Sequence, residues 1–175
     1  MDQTAMSETS ETVSNISEEM RNAIGRELST RISYPISASD IRKWAIAVYF
    51  PESPPERFVG AGGPDAPLTA PEEFNPFAWA APGKKPKKPD VSAAFLENQL
   101  GITPPPLNTV LNGGTVVEYG VPMMEGDVIT ATNRLDNYTE KQGKRGLLLF
   151  SSMKDEWTNQ RGEMVKRTTS TVIRL

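Results

Sequence analysis

Residues 127–175 read DVITATNRLDNYTEKQGKRGLLLFSSMKDEWTNQRGEMVKRTTSTVIRL. Three stretches of this run, 127–138, 145–158 and 163–175, are rich in Val, Ile, Leu, Thr and aromatic residues, the composition of β-strands. The links between them, TEKQGK and NQRG, are turn chemistry and too short for a parallel crossover, so the three predict an antiparallel meander. A fourth strand of the same texture, TVLNGGTVVEYGV at 109–121, precedes them behind the turn PMMEGD. Alternation fails at Leu147–Phe150, which is apolar throughout; part of that strand is expected to be covered on both faces, one by a helix and the other by a second protein.

The helix follows from the other half of the chain. Ser37 with Asp40 three residues on matches a capping box, and Ile41, Trp44, Ala45 and Val48 then fall on one helical face. Pro51 ends this helix, because proline disfavours helical geometry in the residue before it. Val13, Ile16, Met20, Ala23 and Ile24 predict a shorter helix stopped by Gly25, followed by the extended piece ELSTRISYPI. Residues 51–106 are dominated by proline, glycine and alanine, a long loop in which Phe74, Phe77 and Trp79 are expected to pack, since a solvated linker has no use for three large rings. Residues 1–12 predict a disordered acidic tail, and 13–175 one α+β domain: a long antiparallel sheet, a central amphipathic helix on it, and the aromatic-bearing loop over one edge.

Composition excludes several functions. With 19 basic and 22 acidic residues the chain has no nucleic-acid-type field and no polybasic membrane signal. No apolar run approaches the ~20 residues of a membrane span, and the amino terminus is unlike a signal peptide, so a cytoplasmic protein is expected. There is no cysteine, hence no disulfide, thiolate nucleophile or Cys-ligated metal, and no cofactor or metal site is expected. There is also no histidine, the commonest general base near neutral pH; any catalysis by this chain alone must use carboxylates, hydroxyls or lysines. The lysines Lys84, Lys85, Lys87 and Lys88 read either as a solvated loop or as a clamp for a phosphate-bearing ligand.

The segments ISASDIRKWAIAV, APEEFNPFAWA, VLNGGTVVEYGVPMMEGDVITATNRLDNYTEKQGKRGLLLF and EWTNQRGEMVKRTTSTVIR together resemble the N-terminal half-domain of MaoC-like dehydratases, the FAS1-like dehydratase domain, over roughly residues 25–175. The resemblance implies a hot-dog fold and the hydration of 2-enoyl-CoA thioesters. In catalytic members an Asp and a His five residues apart, in a pattern close to G-D-x-N-P-x-H after this same helix, share the attacking water. Laid on this chain, the pattern puts Tyr49 at the glycine, Phe50 at the Asp, Glu52 at the Asn, Ser53 at the Pro and Pro55 at the His. Neither a phenyl nor a pyrrolidine ring exchanges a proton, so the family's mechanism cannot run on these residues.

Three functional readings follow. In the first, the chain is the non-catalytic subunit of a heteromeric enoyl-CoA hydratase, shaping the pocket for a bulky acyl-CoA, such as one with a steroid side chain, while a MaoC-like partner supplies Asp and His. In the second it is an inert acyl-CoA-binding homodimer. In the third it is a thioesterase using a carboxylate, with Glu118, Asp127 and Asp136 as candidates by residue type. The candidate binding residues are Asn112, Gly113 and Gly114, whose paired glycines either admit a ligand to the backbone or form a bulge. Phe74, Phe77 and Trp79 are candidates for the acyl wall or for core, and Lys144 and Arg145 for pairing with CoA phosphates or for ordinary hairpin charge.

Overall fold

Among the described residues, β-branched and aromatic side chains build five strands: β1 (Glu27–Ile32), β2 (Val110–Tyr119), β3 (Thr130–Gly143), β4 (Gly146–Thr158) and β5 (Met164–Arg174). They form one sheet in the order β1-β3-β4-β5-β2, with every neighbour antiparallel. The structure, a computed structural model, describes residues 14–78, 90–144 and 146–175. The expected tail at 1–12, Trp79, the four clustered lysines and Arg145 lie outside the described residues. The meander is β3-β4-β5, while β2 crosses to its far side and pairs with β5 from Val110 opposite Arg174 to Tyr119 opposite Lys166.

Among the described residues four helices accompany the sheet: α1 (Glu18–Asn22), α2 (Ala38–Tyr49), α3 (Glu56–Val59) and α4 (Phe95–Leu100). The last two punctuate the long Pro/Gly-rich segment. Two apolar clusters cover one face of the sheet. Ile41 and Ala45 of α2 pack with Leu68, Phe74, Met123, Ile129, Ala131, Trp157 and Val165; Met20 and Ala23 pack with Leu96 and Leu100 of α4 against Leu135, Tyr138 and Leu149. Ala131 and Leu135 of β3 share a parity with Ile129 just before it, and a bulge between Leu135 and Asn137 then carries Tyr138 to the same face. Leu149 is buried under this cover and its neighbours Leu148 and Phe150 are half-buried on the opposite face.

The Ser37 side chain accepts the Asp40 backbone N–H at 3.1 Å and so caps α2. Ser37→Ala is expected to cost about 1 kcal/mol, read as a lowered urea midpoint with an unchanged slope. The helix stripe is narrower than its sequence spacing predicts. Ile41 and Ala45 are buried and Trp44 half-buried, whereas Val48 is 57% exposed, because the last turn overhangs the sheet and borders a cavity.

Candidate functional site

The helix α2 ends at Phe50, which caps it in an extended conformation and is 80% exposed, followed by Pro51, Glu52 and Ser53 in the turn leading to α3. Pro55 caps the start of α3 and is also exposed. Both side chains at the positions matched to the dyad therefore face away from the core. Beside them lies a cavity of about 580 Å³, walled by Trp44, Val48 and Tyr49 of α2, Arg57 and Phe58 of α3, the segment Thr69–Glu73 and Pro122. Its rings are fixed by one another: Tyr49 and Phe58 stand 6.0 Å apart, Trp44 meets Phe74 edge-on at 5.7 Å, and the Arg57 guanidinium lies 4.6 Å over the Phe58 ring. A smaller cavity shares Ala70, Pro71, Glu72 and Pro122 with it and reaches Tyr119, Gly120 and Val121 at the end of β2.

One carboxylate at this rim, Glu73, is already paired. Glu73 accepts the Lys166 ammonium at 3.0 Å and the Tyr119 hydroxyl, and Lys166, nearly buried, lies 5.4 Å from the centres of both the Tyr119 and Trp157 rings. These bonds tie the 70s segment to the sheet. The loop below is tied in the same way. Glu125 accepts the amides of Gly63 and Leu68, which with the nearby Arg42 hold its carboxyl below the usual range, while Arg42 donates to the Gly60 carbonyl at 2.7 Å.

The carboxylates considered for hydrolysis lie apart from the cavity and from each other. Glu118 is exposed on β2 beside Arg167, which it shares with Glu156. Asp127 is buried and holds a turn, accepting from the Met124 amide, Gln160 and Arg161. Asp136 sits in the β3 bulge, where the Lys154 ammonium at 2.6 Å lowers its pKa, assisted by the Ser152 hydroxyl.

The other candidates are not gathered into one site. Asn112, Gly113 and Gly114 form a bulge in β2; Gly114 has φ +109°, and its amide donates to the Asn112 side chain at 2.8 Å, so it is not free for a ligand. Phe74 is core under α2, and Phe77 packs edge-on against Trp157 at 5.2 Å beneath the Arg31 guanidinium. Lys144 is exposed at the hairpin, the far end of β3 from α2. The cavity walls Arg57, Phe58, Pro71, Glu72 and Pro122 escaped sequence reasoning. Their one local signal is an amphipathic PPERF directly after the α2 stop.

A long antiparallel sheet in this strand order, covered on one face by a helix that follows β1 and precedes the other four strands, with a cavity at its carboxyl end, defines a hot-dog protein. Residues 22–168 match the family described as FAS1-like, dehydratase domain region. The chain belongs to that family. Among solved structures, the ChsH1-ChsH2 complex from Mycobacterium tuberculosis is similar at 15% identity and TM-score 0.54, over 84% of this chain and 83% of that one. The MaoC-like dehydratase from Rhodospirillum rubrum is similar at 19% identity and TM-score 0.46, over 87% and 92%. The R-hydratase PhaJ1 from Pseudomonas aeruginosa is similar at 13% identity and TM-score 0.48, over 86% and 81%. No curated protein matches the sequence. Among the described residues no helix is long and apolar enough to cross a membrane.

Proposed function

We propose that this chain is the non-catalytic subunit of a heteromeric 2-enoyl-CoA hydratase, with a MaoC-like partner supplying the acid–base pair. One observation carries the reading: a chain of a dehydratase family has Phe50 and Pro55 where the acid and base belong, both turned outward, and has no histidine at all. Hydration needs a group that takes a proton from water while the α-carbon gains one, and donors preplaced for an enolate-like oxygen. This chain retains a place for substrate without the means to transform it. The cavity beside α2, about 580 Å³ and walled by Trp44, Tyr49 and Phe58, is of the size of ligand sites and suits a bulky apolar acyl group such as a steroid side chain. The ChsH1-ChsH2 structure, whose fold this chain resembles, is likewise a complex of two chains.

The test is reconstitution with the product of a neighbouring reading frame that carries the D-x-N-P-x-H pattern. The pair is expected to hydrate a 2-enoyl-CoA, with each chain alone lower by roughly the 10²–10⁴-fold that positioned acid–base groups contribute. Hydration of crotonyl-CoA at an enzymatic rate by this chain alone would refute the reading. Thioester cleavage would favour the carboxylate-dependent alternative, and a CoA-ester-binding homodimer without turnover would favour the inert one.

A further inference from the structure

Two tryptophans lie among the described residues, and their indole N–H groups differ. Trp157 donates to the Asp155 carboxylate at 2.9 Å. The Trp44 N–H is buried and has no partner. Of the four buried side-chain polar atoms left unpaired among the described residues, it alone belongs to a residue lining the large cavity. Phe74, edge-on to the Trp44 ring at 5.7 Å, is at most a weak π acceptor. A buried donor without an acceptor has lost its hydration for nothing, and a ligand that brings an acceptor restores the loss. The polar part of the wall has the same bias. Arg57 presents only donors, and the Thr69 hydroxyl donates to no better acceptor than the Met124 sulfur, at 3.5 Å. Of the two carboxylates on the wall Glu73 is engaged by Lys166 and Tyr119, which leaves Glu72.

We infer that Trp44 selects the acyl group: the substrate carries an uncharged acceptor oxygen, of the oxo kind, at the end away from its thioester, and the Trp44 N–H donates to it. This rests on the function proposed above. In a heteromeric hydratase the thioester and the enoyl carbons stand at the partner's acid–base pair, so the cavity of this chain receives the far end of the acyl group. A tail of hydrocarbon alone leaves the N–H unpaired. An oxo oxygen has lone pairs to accept it and no charge to strip of water. Trp44 is half-buried and already forms part of the wall, so a small turn of the indole edge presents its nitrogen to the cavity. A carboxylate in the same place suits Arg57 but meets the Glu72 carboxylate on the same wall, which favours the uncharged oxygen. Val48, Phe58, Pro71 and Pro122 make much of the remaining lining apolar, and in such surroundings one donor fixes the orientation of the tail.

The experiment uses the complex of the full chain with the chain carrying the D-x-N-P-x-H pattern. Its substrates are a cyclohexyl-tailed 2-enoyl-CoA and the oxocyclohexyl and carboxycyclohexyl counterparts of the same length. The wild-type complex is expected to favour the oxo ester over the cyclohexyl ester about tenfold in kcat/KM, the usual worth of one hydrogen bond. Trp44→Phe, first shown by thermal melting to fold, is expected to bring that ratio close to one, whereas a mere loss of ring volume lowers both esters alike. A second reading needs no variant: with isotope-labelled tryptophan, the Trp44 indole N–H resonance of the wild-type complex is expected to move downfield with the saturated oxo ester and not with the saturated cyclohexyl one. Equal use of the two esters, or a ratio that Trp44→Phe retains, overturns this inference and leaves the proposed function standing. Preference for the carboxy ester overturns the choice of an uncharged oxygen. A complex that hydrates none of the esters overturns the proposed function, and the indole resonance then decides this inference alone, its shift upholding the recognition of the tail and its constancy overturning it.

Discussion

Arg174→Ala is expected to lower the free energy of unfolding by about 3–5 kcal/mol, the usual cost of removing one partner from a buried ion pair. Arg174 and Glu97 are 1% and 0% exposed and joined by two bonds, at 2.6 and 2.9 Å. The Tyr138 hydroxyl donates to the same carboxylate at 2.7 Å, and Arg174 also donates to Ser151 and to the Ala93 carbonyl. This network pins α4, near the end of the Pro/Gly-rich segment, onto strands β3, β4 and β5. With the guanidinium gone, Glu97 is a carboxylate in an apolar cluster without a counter-charge. Total stabilities run to roughly 5–15 kcal/mol, so the loss is a large share. Urea denaturation reads it directly, and a change below about 1 kcal/mol would contradict the account. Joint replacement, Glu97→Met and Arg174→Met with Tyr138→Phe, is expected to regain most of the loss, since it leaves no stranded charge or unpaired phenol.

The pH dependence has a definite sign. Burial, the largest influence on Glu97, pushes its pKa up, but the Arg174 and Tyr138 hydrogen bonds and the Arg174 charge together outweigh it, and the net direction is down. A depressed carboxylate contributes stability that is complete above its unfolded value, near 4.5, and is lost as the pH falls through the folded one. Tyr138 is raised, by burial first and then by Glu97, so its contribution is complete below pH 10 and declines above it. Arg174→Ala should therefore flatten the acid limb of a stability–pH curve.

The second large effect is expected at Gly120. A Cβ there would collide with the Met164 carbonyl oxygen and stand 2.9 Å from its carbon, both backbone atoms that a rotamer change cannot move. At this point the chain passes from β2 into the turn at Pro122, and the Gly120 and Val121 amides donate to Val165 and Met164. Gly120→Ala must part the end of β2 from β5 at a cost of at least the 1–3 kcal/mol typical of overpacking. Faster amide exchange over residues 115–121, with α4 unchanged, would place the damage. Wild-type exchange in this stretch would show that the close approach is absent in solution.

The strands of the meander were legible because β-branched runs and short turns are local facts. The cap of α2 at Ser37 and its end before Pro51 were legible for the same reason. The absence of histidine needed no structure, since a residue type missing from the chain is missing from every site. Residues that depend on distant partners were not legible. No local pattern marks Arg174 as buried, and its partner Glu97 lies 77 positions away in a segment without periodic signal. The β3 bulge reverses the parity of Tyr138, so a strict two-residue pattern misplaces it. The cavity walls were hidden because α3, Pro71 and Pro122 meet only when three separate loops converge.

By itself, then, the sequence determined the strand content, the central helix, the family likeness, the absence of histidine and the placing of Phe50 and Pro55 after the helix, all properties of residue type or of neighbours along the chain. Only the tertiary structure decided that β2 is the open outer edge, that the cavity lies beside it, and that a buried ion pair holds α4 in place. Strand order and burial are set by which surfaces exclude water together, and that is a relation between segments far apart in the chain, which no local window contains.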